Sequence, residues 1–331
     1  MNVSLTEILN MGNNNNNLAK KKETELSEQC IPAYVVVTPA FNEENNIEAT
    51  IESMTLQTVQ PQSWIIVDDG SCDKTWEIIS SAAVSYSWIE AYRRFKDPNR
   101  ADDGLLLASE AEAFLEGLKL AFNTCPSPEF IVKLDADLKF GPEYFRVLFN
   151  EFSSNPRLGI TGGVIYEYKG SGLVREKASS AHVRGATKIY RYACYKDIGG
   201  VLSVFGWDVI DEILARASGW YVNSFDHVHL VHLRRTASRD GRFLGWARNG
   251  YMAYYIGMSP LRMILRSLFR LIVAGDIVQS CGLAYGYFRN YFRRTKQLPD
   301  LAIRKLVRQY QWVTAGKSYD DRAVRSKNRK V

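Results

Sequence analysis

Apolar and polar positions fall into alternating blocks along the first half of the chain. Ala33-Tyr34-Val35-Val36-Val37-Thr38 is a continuous, largely β-branched run of the kind found in strands buried on both faces, and Pro39 ends it. From Asn45 to Leu56, Ile47, Ile51 and Met54 recur at helical spacing and predict an amphipathic helix. Trp64-Ile65-Ile66-Val67 predicts a second buried strand, halting at Asp68-Asp69-Gly70-Ser71 and followed by a helix through Trp76, Ile78 and Ile79. A third strand is expected around Ile89 to Tyr92, a long helix from about Leu105 to Phe122, and a strand from Phe130 to Leu134. After Gly159 the elements shorten to a strand over Ile160 to Tyr166, a glycine-containing loop and a helix from about Asp208 to Ala217. No internal repeat is visible.

Strands alternating with helices imply an α/β protein with a mainly parallel sheet and right-handed crossovers. Such sheets bind ligands beyond the carboxyl ends of their strands. Three strands end in polar clusters, Asn42-Glu43, Asp68-Asp69 and Asp135-Ala136-Asp137, which are therefore expected on one rim. In an extended segment residues i and i+2 project to the same side, so Asp135 and Asp137 face one point. Two anions so placed repel unless a cation sits between them, and hard divalent ions take oxygen ligands. Taken alone, the pair also fits a strand-to-loop turn in which aspartate caps backbone groups.

Composition adds size and compartment. The 331 residues, 46% of them hydrophobic, accommodate one large domain with extensions or two domains. Five cysteines (Cys30, Cys72, Cys125, Cys194 and Cys281) are scattered without CxxC spacing. That pattern points to a reducing compartment and away from a disulfide framework or a zinc site. The first residues carry no apolar run of the signal-peptide type, so a cytoplasmic chain is expected. Residues 1–30, with Asn13 to Asn17 and Lys20-Lys21-Lys22, lack periodicity and are expected to be disordered. Residues 31–250 then read as the folded α/β domain and 251–331 as a basic amphipathic helical region.

The net charge of +6 conceals a split. From Arg234 onward there are 21 Lys/Arg and 5 Asp/Glu, a net of +16, against 21 basic and 31 acidic residues before it, a net of −10. Over Pro260 to Ile272, Arg262, Arg266 and Arg270 form one helical ridge, with Leu261, Ile264, Leu265, Leu268 and Ile272 on the other side. A helix of this kind lies in the plane of an anionic membrane surface. Leu271 to Phe288 approaches a membrane-spanning length but holds Asp276 and Gln279, so it is expected to lie on the surface or pack against the folded domain. The final basic stretch, Arg322 to Lys330, is expected to be a mobile tail drawn to anionic lipid. The arginines alternate with bulky apolar residues rather than base-stacking patterns, which argues against nucleic-acid binding.

The blocks Val35-Val36-Val37-Thr38-Pro39-Ala40-Phe41-Asn42-Glu43-Glu44, Ile66-Val67-Asp68-Asp69-Gly70-Ser71 and Leu134-Asp135-Ala136-Asp137 resemble the family 2 glycosyltransferases of the GT-A fold. A fourth block agrees: Arg184-Gly185-Ala186-Thr187, Ile198-Gly199-Gly200, Gly206-Trp207-Asp208, Asp211-Glu212, Gly219-Trp220 and Val231-His232-Leu233-Arg234-Arg235-Thr236. The resemblance covers roughly residues 33–236, making 31–250 the catalytic domain. It implies a Rossmann-like mixed sheet flanked by helices, and an inverting transfer of a sugar from a nucleotide-diphosphate donor (UDP-, GDP- or dTDP-linked). The implied acceptor is a hydroxyl on a lipid-linked or saccharide molecule, in cell-surface polysaccharide or glycolipid synthesis. The implied cofactor is Mn²⁺ or Mg²⁺, held by Asp135, Asp137 and His232, while Pro39, Ala40, Asn42, Glu43, Asp68, Asp69, Asp135 and Ala136 would bind the donor. His227 and His229 are weaker metal candidates. Inversion needs a general base, and Asp208 fills that position with Asp211, on the same helical face, as the alternative.

This chain departs from the family pattern in three places. Trp207 stands where the usual Glu-Asp pair has glutamate, which leaves open an inactive nucleotide-sugar-binding protein of the same fold. No Gln-x-x-Arg-Trp follows, which implies single addition. Leu107-Ala108-Ser109-Glu110-Ala111-Glu112-Ala113-Phe114 lacks the basic residue that relatives place there, so Arg184, Arg234 and Arg235 become candidates for diphosphate contact.

Overall fold

The computed structural model describes residues 32–94, 106–169, 172–176, 179–234, 241–273 and 275–311. The segment 1–30, the tail Arg322 to Lys330 and Arg235 lie outside the described residues. β1 (Tyr34–Ala40) is followed by α1 (Ile47–Thr55), β2 (Ser63–Asp68), α2 (Thr75–Ser85), β3 (Ile89–Arg93), α3 (Leu106–Thr124) and β4 (Phe130–Leu134). Next come β5 (Leu138–Phe140), α4 (Tyr144–Ser154), β6 (Leu158–Lys169), β7 (Gly172–Arg175), β8 (Thr187–Arg191) and α5 (Tyr192–Asp197). The rest comprises α6 (Trp207–Ala217), β9 (Tyr221–His232), α7 (Arg242–Tyr255), α8 (Pro260–Ile272), α9 (Ile277–Arg293) and α10 (Leu301–Tyr310).

The described strands form one mixed sheet in the order β3-β2-β1-β4-β8-β6-β9-β5, with β7 added to β6. β1 to β4 are mutually parallel, as the strand–helix alternation predicts. Beyond β4 the sheet becomes mixed: β8 runs antiparallel to β4 and β6, β6 and β9 are parallel, and β5 is antiparallel to β9. Sheet alternation divides the core into two layers. Tyr34, Val36, Trp64 and Ile66 pack with Ile47, Met54, Phe145 and Phe149 on one face. Val35, Val37, Ile65 and Val67 pack with Phe114, Leu118 and Trp207 on the other.

The carboxyl-terminal helices share a core with α6, where Phe205, Ile210 and Ile213 pack with Met252, Ile256, Leu298 and Val307, and α7 runs through residue 250, the boundary expected from sequence. α7 and α9 approach closely because Gly250, Gly282 and Gly286 carry no side chain. A Cβ at Gly282 would lie 2.8 Å from the Phe243 carbonyl oxygen, and one at Gly286 would overlap the Ala247 carbonyl. The apolar stretch Leu271 to Phe288 is not one helix. α8 ends at Ile272, and Asp276 caps α9 by accepting from the Gln279 amide at 2.9 Å. Among the described residues no helix is long and apolar enough to cross a membrane.

Helix α8 has its amphipathic faces reversed relative to a helix on a soluble domain. It buries only Met263 and Ser267. Leu261, Ile264, Leu265, Leu268, Phe269 and Ile272 are exposed, while Arg262, Arg266 and Arg270 are half-buried.

Candidate active site

The β1–β2 register pairs Ala40 with Asp68, and the Asp69 amide donates to the Ala40 carbonyl at 2.8 Å. The parallel β1–β4 pairing brings the Asp135 end onto the same rim. Rim residues 42–43, 68–69 and 135–137 are therefore neighbours in space. Thr50 of α1 stitches the third cluster down: its hydroxyl lies 2.9 Å from the carbonyls of Ala136 and Leu138 and accepts from the Leu138 amide.

Asp137 and His232 meet through the β5–β9 register, which pairs Leu138 with His232. His232 Nε2 is 3.0 Å from Asp137 Oδ1, and ligand atoms of Asp135, Asp137 and His232 all lie within 4.8 Å of one another. Burial opposes the His232 imidazolium, but the hydrogen bond and charge of Asp137, then the charges of Asp135 and Glu167, raise its pKa above the ordinary value. Burial would also raise the Asp137 pKa, yet His232, Arg234 and Lys133 hold it low. Two carboxylates and an imidazole form a donor set suited to a divalent ion of the Mn²⁺ or Mg²⁺ type. His227 pairs with Glu151 and His229 packs edge-on against Tyr166, so neither joins this group.

Glu43 adds a further carboxylate. Burial and the charges of Asp137 and Asp135 lift its pKa to about 7, against the hydrogen bond of Asn46 and the charge of Arg234. Arg234 bridges back to Glu43 Oε2 at 2.6 Å and to the Asn42 carbonyl at 3.3 Å. Asn42 is exposed in the left-handed region (φ 55°), its side chain accepting from the Cys72 amide at 2.9 Å. Asp68 is fully buried, with Arg93 Nε at 3.1 Å and the Ser71 amide at 3.0 Å, so its carboxylate faces protein rather than solvent. Asp69 holds Arg94 at 2.7 Å and the Ser109 hydroxyl at 2.7 Å, and Arg94 also reaches Glu116. Pro39 is half-buried, and Ala40 and Ala136 are buried. Arg184 pairs with Glu176 at 2.8 Å.

The two acid/base candidates separate. Gly206, at φ 82°, precedes α6, which leaves Asp208 in the first helical turn rather than at the cap. Its carboxylate is half-buried, and a Cβ on Gly185 would sit 3.7 Å from its Oδ2. Asp211, one turn on, is not brought to the rim. It is 2% exposed, accepting from Lys188 Nζ at 2.7 and 2.9 Å and from the Tyr190 hydroxyl at 2.5 Å. Those surroundings describe a structural ion pair.

Lys133 and Glu110 escape a motif search. Lys133 is fully buried, and its ammonium contacts Glu110 and Asp135 and donates to the Gly185 carbonyl at 2.9 Å. It puts a cation beside α3, whose opening residues carry none in sequence. The available signal was strand alternation, because Lys133 is two residues before Asp135 and projects to its side. Trp207 also gains a physical role. The ammonium groups of Lys133 and Lys188 lie 5.5 and 5.6 Å from its ring centroid, within cation–π range.

A family model for glycosyl transferase family 2 matches residues 35–204, just over half of the chain. The chain is 26% identical over 208 residues to the poly-beta-1,6-N-acetyl-D-glucosamine synthase of Staphylococcus epidermidis, covering 56% of this chain and 45% of that protein. It thus spans about half the length of the curated relatives it matches. Among solved structures it resembles a mannosyltransferase from Pyrobaculum calidifontis in complex with GDP-Man and Mn²⁺, at TM-score 0.49 and 13% identity, over 98% of this chain and 89% of that one. It also resembles S. aureus TarS 1–349, at TM-score 0.47 and 13% identity, over 80% and 92%. With the family model spanning the strands that carry the acidic rim, the chain belongs to glycosyl transferase family 2.

Proposed function

We propose that this chain is an inverting, single-addition glycosyltransferase that moves a sugar from a nucleotide-diphosphate donor to an acceptor hydroxyl in cell-surface polysaccharide or glycolipid synthesis. The observation that carries the reading is the convergence of Asp135, Asp137 and His232 on one point of the rim. When bound there, a divalent ion supplies positive charge to the departing diphosphate. Pro39, Ala40, Asn42 and Glu43 line the base and ribose pocket, with Asp68 and Asp69 fixing its floor through Arg93 and Arg94. Lys133 holds Asp135 in place. Asp208 takes the proton from the acceptor hydroxyl, because its half-buried carboxylate has no ion pair among the described residues.

The chain works at the cytoplasmic face of a membrane, lying on its surface. Support comes from α8, whose apolar side chains face outward. At about 25 cal/mol per Å² of apolar surface, covering that face with lipid yields several kcal/mol.

The test is a thermal-shift panel of UDP-, GDP- and dTDP-sugars with and without Mn²⁺, run on wild type and Asp137→Asn. Wild type should gain melting temperature with one nucleotide class only when Mn²⁺ is present, and the variant should not. Equal metal-dependent stabilisation of both proteins would remove the metal assignment.

A further inference from the structure

Arg266 is the most unusual cation in the described structure. It is half-buried on α8, yet among the described residues it makes no hydrogen bond or ion pair. Its neighbours are cations. Burial, then the like charges of Arg270, Arg262 and Arg184, pulls its pKa down to about 10. The other three are positioned: Arg270 donates to Gln279 at 2.8 Å and stacks on Trp246 at 4.9 Å, Arg262 donates to the Gln311 carbonyl at 3.0 Å, and Arg184 pairs with Glu176. The acidic groups near this cluster are Glu176 and Asp276, and Asp276 is already paired with Arg242 at 2.6 Å. Four guanidinium groups gathered with so little counter-charge favour an anion, and guanidinium is suited to the forked recognition of phosphate.

Two further observations say what kind of phosphate. Arg184 immediately precedes Gly185, which packs against the Asp208 carboxylate, so the cluster adjoins the proposed base. The same helix exposes the unpartnered apolar row Leu261, Ile264, Leu265, Leu268 and Phe269. A helix lying in a bilayer interface on such a row holds its arginine edge at headgroup depth. We infer that Arg184, Arg266 and Arg270 form an acceptor-side subsite for a phosphate carried on a lipid chain, with the chain against the apolar face of α8. The inference rests on the transferase reading and narrows its acceptor to a lipid-linked phosphate.

The experiment is vesicle flotation of the full chain with phosphatidylcholine alone, with added polyprenyl phosphate, and with phosphatidylglycerol at matched surface charge. Wild type should bind the polyprenyl phosphate vesicles about tenfold or more tightly than the charge-matched ones, the scale of one charge-assisted contact. Arg266→Gln should lose that preference while keeping the Mn²⁺-dependent nucleotide binding of wild type. Equal binding to both charged vesicle types identifies unspecific surface docking and overturns the subsite, as does a wild-type preference in Arg266→Gln. If Arg266→Gln melts early, Arg266→Lys carries the test: it keeps the charge but not the fork, and should retain only part of the preference. A wild-type preference in that variant overturns the subsite too. Failure of wild type to bind any sugar nucleotide would sink the transferase reading, while the vesicle comparison would still decide the subsite.

Discussion

Asparagine at position 211 discriminates between the two aspartates of α6 through stability rather than activity. Asp211 is the counter-ion of Lys188, itself fully buried, with contacts of 2.7 and 2.9 Å, and it also accepts from Tyr190 at 2.5 Å. Removing one partner of a buried pair costs about 3–5 kcal/mol, because the other charge is left in a poorly solvating site. Lys188 keeps the Asp208 carbonyl and a Glu212 oxygen at 3.4 Å, which places Asp211→Asn at the lower end, about 3 kcal/mol. For a domain of this size that corresponds to about 6–12 °C in melting temperature. Asp208→Asn removes a half-buried carboxylate with no ion pair among the described residues and should change stability by only about 0.5 kcal/mol. Its transfer rate should fall about 10²–10⁴-fold with donor binding intact. The assays are thermal denaturation and sugar transfer at saturating donor. An Asp211→Asn protein that melts with wild type, binds donor and does not turn over would refute the argument and make Asp211 the base.

Two more perturbations probe the rim and the helical unit. Glu43, with its pKa raised from 4.5 to about 7, keeps in the folded chain a proton that the unfolded chain releases, so stability should fall as pH rises through that window. Glu43→Gln removes this loss. Its advantage over wild type in urea denaturation should grow from near zero at about pH 4.5 to about 2–3 kcal/mol at about pH 8, whereas a pH-independent difference would show that the carboxyl is not perturbed. In α9, Gly286→Ala gains about 1 kcal/mol of helix propensity but forces α7 and α9 apart, at about 3 kcal/mol for overpacking. A net loss of about 2 kcal/mol is expected on chemical denaturation, and a more stable variant would mean that the two helices do not pack in solution.

The parallel half of the sheet was legible in the chain because its strands are long apolar runs whose hydrophobicity is a local property. The same holds for α8, whose predicted bounds, Pro260 to Ile272, are those observed. Short β5 and β8 escaped, since a three-residue strand and a strand opening with Thr187-Lys188 lack a hydrophobic period and exist only because partners complete their hydrogen bonds.

The sequence by itself determined which residue types stand at the strand ends, and its resemblance to a family made Asp135, Asp137, His232 and Asp208 candidates for the chemistry, with Asp211 as the alternative base. Tertiary structure alone decided their company. The β5–β9 register joins Asp137 to His232 across 95 positions, and burial of Lys188 beneath α6 turns Asp211 into a counter-ion while leaving Asp208 unpaired among the described residues. Tertiary packing likewise turned the arginines of α8 inward and its apolar row outward. The reason is range. Period and propensity act over a few residues, whereas charge pairing and desolvation depend on neighbours that only the folded chain supplies.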